Sequence, residues 1–475
     1  MDHGMQADAL GQSVRAASVE WARAGIERRL RVLQDAGRQL AERERELLAC
    51  LAADGLSERL ARHYGGWIVH AGSPRLLELY ARSLVRRIDS GAGAEILVRR
   101  PDGVVLLVLP ANSATINSAP IFSILLPGNG LLVRAPEHAK GPRFLVEEIL
   151  QPALRRGGLD PGVIAVVPGK SQEVLARFLP STHVDTVVFF GNGVAGQSVA
   201  EQAMAHRKKA VLELEGSDNL VVWKDAPIDR AAESASSAWH FSTQPCPVPK
   251  HLLVHGAVFD ELMAALVSRL PDHSRTVEAD PVDGMLGPVG RMNQYLAALE
   301  EVRAVGEIRT GGYRMAADGS PDPAGRYVAP TLVALTADAC LGQRLRCFEE
   351  EISFPLIPVV RFDGDDEAIL AQMGELLARH PFGLRTSVWA RSPEIIRRFT
   401  LEIGAVGLLL FNDEHAQTPF YASPWGGPKK SGGPSGESHL FWEKTSRLQA
   451  IGASQLSPEQ LQAVLGALGS LDLER

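Results

Sequence analysis

Three groups of residues in this chain could do chemistry. The run Gly191-Asn192-Gly193-Val194-Ala195-Gly196 is a GxGxxG that follows an apolar stretch at 186–190 and opens a helical stretch at 197–206. In a strand-turn-helix setting, glycines let the backbone approach a pyrophosphate and the helix N-terminus favours its charge. A plain glycine turn between a strand and a helix has the same look. Two carboxylates, Glu213 and Glu215, stand roughly 20 residues further on, where a dinucleotide turn looks for an acid to hold a ribose. The third group is the four cysteines, Cys50, Cys246, Cys340 and Cys347. They make no disulfide framework, no CxxC pair and no zinc spacing with histidine, so reduced thiols and no metal site are expected. Each thiol is then either a small buried hydrophobe or a nucleophile.

The elements that must hold these groups follow from periodicity. Ile26, Leu30, Leu33 and Leu40 recur at three- and four-residue steps with Arg and Glu between them, so 9–54 reads as helices, stopped at Gly55. Short Val/Leu runs then alternate with helix-length segments, at 104–109, 131–134, 163–167, 186–190 and 210–214. Runs apolar on both faces and spaced by helices indicate parallel strands covered on each side, a Rossmann-like α/β sheet. After Glu215 the pattern restarts at 220–223, with a helix from about Asp229 and strands at 252–254 and 356–362, which predicts a second α/β unit. The Gly/Pro/Asp-rich stretch 311–326 reads as surface loop, and 426–436 as a glycine-rich turn region.

With 475 residues the chain is too long for one core, and 45% apolar with 22% charged residues is ordinary for a globular protein. The net charge of -7 with interspersed signs offers no basic field, so nucleic acid is not expected as a partner. No apolar run reaches membrane-spanning length and no signal-like start is present, so neither membrane nor export is expected and a cytoplasmic location is the default.

Several blocks then fall in one order. They are Pro110-Ala111-Asn112, Pro127-Gly128-Asn129 with Val133-Arg134-Ala135-Pro136-Glu137, Phe190-Gly191-Asn192, and Leu212-Glu213-Leu214-Glu215-Gly216. Gln244-Pro245-Cys246, Glu350-Glu351-Ile352-Ser353-Phe354-Pro355, Phe382-Gly383-Leu384 with Ser387-Val388-Trp389, and Pro424-Trp425-Gly426-Gly427 with Lys429 and Ser431-Gly432 follow. Together they resemble the aldehyde dehydrogenase superfamily over about 104–444. The resemblance implies a Rossmann-like NAD-binding domain at 1–213, in which 85–103 contributes to a small oligomerisation sheet. It further implies an α/β catalytic domain at 214–412 and a C-terminal segment at 413–475 that returns to the first domain and to that sheet, formed near 94–100 and after Lys444.

It also implies roles. Cys246 is the nucleophile on an aldehyde, Asn112 with the Cys246 backbone N–H holds the oxyanion, and Glu213 activates the water that hydrolyses the thioester. Arg134 and Glu137 hold the adenosine ribose, Gly191 and Asn192 lie at the cofactor turn, and Glu351 holds the nicotinamide ribose. A carboxylate at Glu137 favours NAD, with NADP as the alternative. Trp239, His240 and Trp425 are candidate walls for the substrate. A homodimer or homotetramer is implied. The chain departs from the family at Thr243, Pro245, Pro247 and Ser353, and at Glu215, which replaces a glycine and is expected to put a second carboxylate near Glu213. An acylating or acyl-thioester-reducing enzyme is the alternative reading, and a non-catalytic scaffold member a third.

Overall fold

Five apolar runs of the first half line up side by side in the computed structural model, which describes residues 3–54, 56, 58–90, 93–110, 113–240, 246–270, 289–316, 318–325, 327–416, 424–434, 436 and 438–469. They form one parallel sheet in the order Ile164–Val167, Gly130–Arg134, Val104–Val108, Thr186–Phe190, Lys209–Glu213. Val104–Val108 and Thr186–Phe190 are buried at every position, which is why their sequences do not alternate. Helices Ser171–Phe178 and Gly193–Ala205 cover one face through Val174, Phe178, Val199 and Ala203. The other face carries the N-terminal helices, among them Ile26–Glu42, whose Leu30, Leu33 and Leu40 turn inward as their spacing requires.

The second half builds a seven-stranded sheet in the order Glu307–Thr310, Thr331–Thr336, Leu356–Phe362, Pro249–His255, Asp218–Val222, Arg385–Trp389, Leu408–Phe411. All its pairings are parallel except that of Glu307–Thr310. Val85–Ser90, Gly93–Pro101 and Ser446–Gly452 make a separate antiparallel three-stranded sheet. The architecture is thus α/β, a Rossmann-like parallel sheet beside a second, mostly parallel one, with a small third sheet. Two stretches read as loop carry short pairings instead. Arg314–Met315 pairs with Tyr327–Val328 because the Arg314 guanidinium closes the hairpin on the Ala324 and Gly325 carbonyls, and Trp425–Gly426 pairs with Ser438–His439.

The two large sheets meet end to end. Glu213 closes the last strand of the first sheet, and five residues later Asp218 opens a central strand of the second. Residues 424–432 bridge this seam. The Leu214 N–H donates to the Ser431 carbonyl (3.1 Å) and the Gly383 N–H to the Ser431 hydroxyl (3.2 Å). Lys429 donates from Nζ to the carbonyls of Leu377 (3.1 Å), Ala378 (3.0 Å) and His380 (2.6 Å). These are carbonyls at the end of helix Asp366–Arg379, where a cation is favoured.

Candidate active site

Cys246 sits in the turn that leads into strand Pro249–His255, and its backbone packs against the Leu214–Ser217 connection after Glu213. The contact is close. A Cβ placed on Gly216 would lie 2.8 Å from the Cys246 carbonyl oxygen, 2.9 Å from its Cβ and 2.6 Å from Leu384 Cδ2. Glycine at 216 is therefore what lets the connection pass beside the thiol.

Glu213 is buried, and its Oε2 has no hydrogen-bond partner among the described residues. Burial pushes its carboxyl up to about 8, against the Gly426 backbone N–H and the Arg385 guanidinium, which favour the anion. Burial also holds the Cys246 thiol well above its usual range. Glu213, Glu351 and Asp218 add to that effect and Lys250 opposes it. The thiol is therefore at rest in its protonated form beside a carboxyl of unusually high basicity.

A layer of buried charge lies behind this pair, and sequence reasoning missed it. Lys250 is 3% exposed, 3.8 Å from Glu351 and in reach of the Ile352 carbonyl. Asp218, 1% exposed, accepts from the Arg385 backbone N–H (3.1 Å) and lies 3.2 Å from His415 Nε2. The available signal was a charged residue in the first two positions of a strand whose centre is Leu/Val, in Asp-Asn-Leu-Val-Val and Pro-Lys-His-Leu-Leu-Val-His.

The other expected site residues fall into three groups. Trp425 is brought to the site. It precedes Gly426, stacks on Trp67 (5.7 Å, 4° between planes) and meets Phe190 (5.7 Å) and Phe441 (5.4 Å). Trp67 stacks in turn on Tyr64 (6.3 Å), a buried residue close enough to Cys246 to feel its charge. Tyr64 and Trp67, one turn apart on helix Glu58–Ala71, were also missed, although aromatics at that spacing mark one helix face. Trp239 is 2% exposed, packs in the core behind the second sheet, and donates from Nε1 to the Arg269 carbonyl. His240 is half-buried at the end of the same helix, its Nδ1 3.5 Å from the Ser236 hydroxyl. Asn112, with Thr243 and Pro245, lies outside the described residues.

The cofactor candidates line the C-terminal edge of the first sheet. Asn192 caps helix Gly193–Ala205 by accepting from the Ala195 N–H (2.9 Å), and the first N–H groups of any helix have no partner within it. Glu137 is exposed just beyond strand Gly130–Arg134. Arg134 works first as a brace, its guanidinium on the Gly169 (3.1 Å) and Leu109 (3.0 Å) carbonyls. The Glu215 carboxylate does not join Glu213. It lies against the glycine turn, Oε2 2.9 Å from where a Cβ on Gly193 would be, and the carboxylates that act on Glu213 are Asp218 and Glu351. Among the described residues no cluster of His, Cys, Asp and Glu could hold a metal ion, and no helix is long and apolar enough to cross a membrane.

A sequence profile described as the aldehyde dehydrogenase family matches residues 3–451. An aldehyde dehydrogenase of Didymella fabae is 28% identical over 442 residues, covering 89% of this chain and 82% of that protein. The 1-pyrroline-5-carboxylate dehydrogenase 2 of Bacillus subtilis is 25% identical over 450 residues, covering 89% and 80%. Among solved structures, an NAD-dependent aldehyde dehydrogenase from Sinorhizobium meliloti superposes with a TM-score of 0.77 at 23% identity, covering 94% of this chain and 86% of that one. A glyceraldehyde-3-phosphate dehydrogenase from Methanocaldococcus jannaschii, complexed with NADP, gives 0.76 at 20% identity, covering 94% of each.

The raised Glu213 carboxyl has a signed consequence for stability. In the unfolded chain it ionises near the ordinary glutamate value of about 4.3. In the folded chain it holds its proton to about 8. Stability is therefore lost as pH rises through that window and levels off above it. Thermal unfolding of wild type and Glu213→Gln should show a gap that favours the variant, opens above about pH 4.3, and is constant above about 8. A gap independent of pH would show that the carboxyl is not raised.

Proposed function

The chain belongs to the aldehyde dehydrogenase family, and on that footing we propose that it oxidises an aldehyde to a carboxylic acid with NAD, using Cys246 as nucleophile and Glu213 as general base. The observation that carries this reading is the close passage of the connection after Glu213 beside Cys246, with the Glu213 carboxyl buried and pushed up to about 8. A carboxylate of that basicity can take a proton near neutral pH, which one with an ordinary value does poorly. Cys246 ionises, its thiol proton going to solvent, and Sγ forms a bond to the carbonyl carbon while the carbonyl oxygen becomes an alkoxide held by the Cys246 backbone N–H and the Asn112 amide. The alkoxide collapses to a thioester on Cys246 as hydride leaves. Water then adds to the thioester carbonyl, Glu213 takes its proton, and the C–S bond breaks to release the acid and restore the thiol.

A nicotinamide dinucleotide supplies the hydride acceptor when bound. The glycine turn with its helix N-terminus fits a pyrophosphate, and we read the exposed Glu137 and the Lys250-facing Glu351 as acceptors for ribose hydroxyls. Glu215 works against an anion at the same turn. Tyr64, Trp67 and Trp425 form an apolar, aromatic wall for the aldehyde's substituent.

We also read the protein as a homo-oligomer, a dimer or a tetramer. Strand Ser446–Gly452 lies at the edge of the small sheet, exposed along most of its length with Leu448 58% exposed, and Leu408–Phe411 is an edge of the seven-stranded sheet. Open, flat strand edges of this kind are templates for pairing with another chain.

Three measurements test these readings. Glu213→Gln should keep a first-turnover burst of NADH while the steady state falls on the order of 10² to 10⁴-fold, with the thioester on Cys246 detected by mass spectrometry. A steady-state rate equal to wild type when coenzyme A is supplied would instead favour an acylating enzyme. Glu137→Gln should improve NADP relative to NAD, since it removes the charge that repels a 2′-phosphate; a wild type that already prefers NADP contradicts the ribose assignment. Light scattering at micromolar concentration should give a mass of two or four chains, and a stable monomer overturns the edge-pairing reading.

A further inference from the structure

The glycine turn is already filled by the protein's own side chains. The parallel pairing of Thr186–Phe190 with Lys209–Glu213 ends at Phe190 and Glu213, and just beyond it the Gly191 N–H donates to the Glu213 carbonyl (3.1 Å). Residues 214–216 therefore leave the sheet beside the start of helix Gly193–Ala205. Leu214 and Glu215 meet that helix at two glycines one turn apart. A Cβ on Gly196 would lie 2.4 Å from Leu214 Cδ2, and a Cβ on Gly193 would lie 2.9 Å from Glu215 Oε2 and 3.7 Å from Glu215 Cδ. Gly196 makes room for an apolar side chain against the helix, and Gly193 makes room for a carboxylate at its first residue. The second glycine of a GxGxxG is the one that lets a pyrophosphate come close to the backbone. Here that approach belongs to Glu215.

A carboxylate and a phosphate compete for the same feature of this helix. The Asn192 side chain accepts from the Ala195 N–H (2.9 Å) and the Asn192 carbonyl from the Gly196 N–H (2.9 Å), so the N–H groups of Gly193 and Val194 remain at the helix start. Their partial positive charge favours an anion, and a side-chain carboxylate serves as a phosphate does. Two anions at one helix start repel each other. Leu214 and Gly216 are buried but Glu215 between them is half-buried, so its side chain has solvent to swing into. We propose that Glu215 holds the phosphate's place at the glycine turn, so that a dinucleotide binds only as the Glu215 carboxylate swings out, and binds more weakly than the turn alone would allow. This inference rests on the reading of the turn as the cofactor site and adds to it a residue that acts on the pyrophosphate.

Glu215 stands at a position where the chain departs from its family, which has a glycine there and so no carboxylate to set against the turn. The residue is also separate from the groups of the proposed reaction. The carboxylates that act on Glu213 are Asp218 and Glu351, and Glu215 is not among them. A change at 215 is therefore read in the binding of cofactor fragments, with no turnover needed.

The test is calorimetric titration of the full-length enzyme with ADP-ribose, which carries the pyrophosphate, and with adenosine, which does not, in wild type, Glu215→Gln and Glu215→Gly. ADP-ribose should bind both variants about tenfold more tightly than wild type, the scale of removing one charge from beside a phosphate at a partly exposed contact. Adenosine should bind all three proteins alike. Equal ADP-ribose affinities in the three proteins overturn the proposal. Equal tightening of both ligands also overturns it, because the substitution would then act on the adenosine pocket and not on the phosphates. A purely structural role for Glu215 predicts weaker binding of both ligands, which overturns it as well. If Glu215→Gly does not fold, Glu215→Gln, which keeps the shape of the side chain, decides alone. Failure of ADP-ribose to bind any of the three sinks the reading of the glycine turn itself, a result distinguishable from binding that ignores the substitution.

Discussion

Ionisable groups taken out of water at the seam between two sheets constrain everything around them. Glu213, Asp218, Lys250 and Arg385 are each less than 9% exposed, and a buried charge without compensation costs several kcal/mol. The strand ends, the turn at Cys246 and the segments around 383–387, 412–416 and 424–433 are therefore arranged to supply partners. Lys250 faces Glu351, Asp218 takes the Arg385 N–H and His415, and Glu213 takes the Gly426 N–H. One oxygen of Glu213 stays buried and unpartnered among the described residues.

Close backbone approach is the second demand of the seam, and glycine meets it. A Cβ on Gly427 would lie 2.1 Å from the Gly383 carbonyl oxygen, and one on Gly216 would meet Cys246. Gly426 needs a positive φ of 66°, a conformation that other residues adopt at a cost. The Pro-Trp-Gly-Gly block thus carries a turn, a close contact and, through Gly426, the hydrogen bond that orients Glu213. Trp425 is drawn against Trp67, Phe190 and Phe441 by the same turn, so this aromatic cluster and Glu213 are positioned by adjacent residues.

The small antiparallel sheet is tied to the same system from a distance. Strand Ser446–Gly452 follows helix Phe441–Lys444, whose Phe441 packs on Trp425 and whose Trp442 stacks on Tyr80 at 3.9 Å. Pairing at that exposed edge would therefore be mechanically connected to the wall of the site through a single short helix.

The sequence by itself marked the five strands of the first sheet and three of the second, at 220–223, 252–254 and 356–362, because runs buried on two faces must be apolar throughout, and it singled out the glycine turn, Cys246 and Glu213 because their neighbours form a recognisable order. It also marked Trp425 through the block that contains it. Tertiary structure decided the rest, for a physical reason that recurs. The Asp218 carboxyl meets the Arg385 backbone N–H across 167 positions and His415 across 197, separations over which no local pattern carries information. Trp239 and Trp425 are alike as residues, but one is consumed by a core and the other faces the seam. Glu215 is two residues from Glu213, yet its carboxylate turns to the glycine loop, because 214–217 is irregular connection and what packs on either side sets the direction of each side chain.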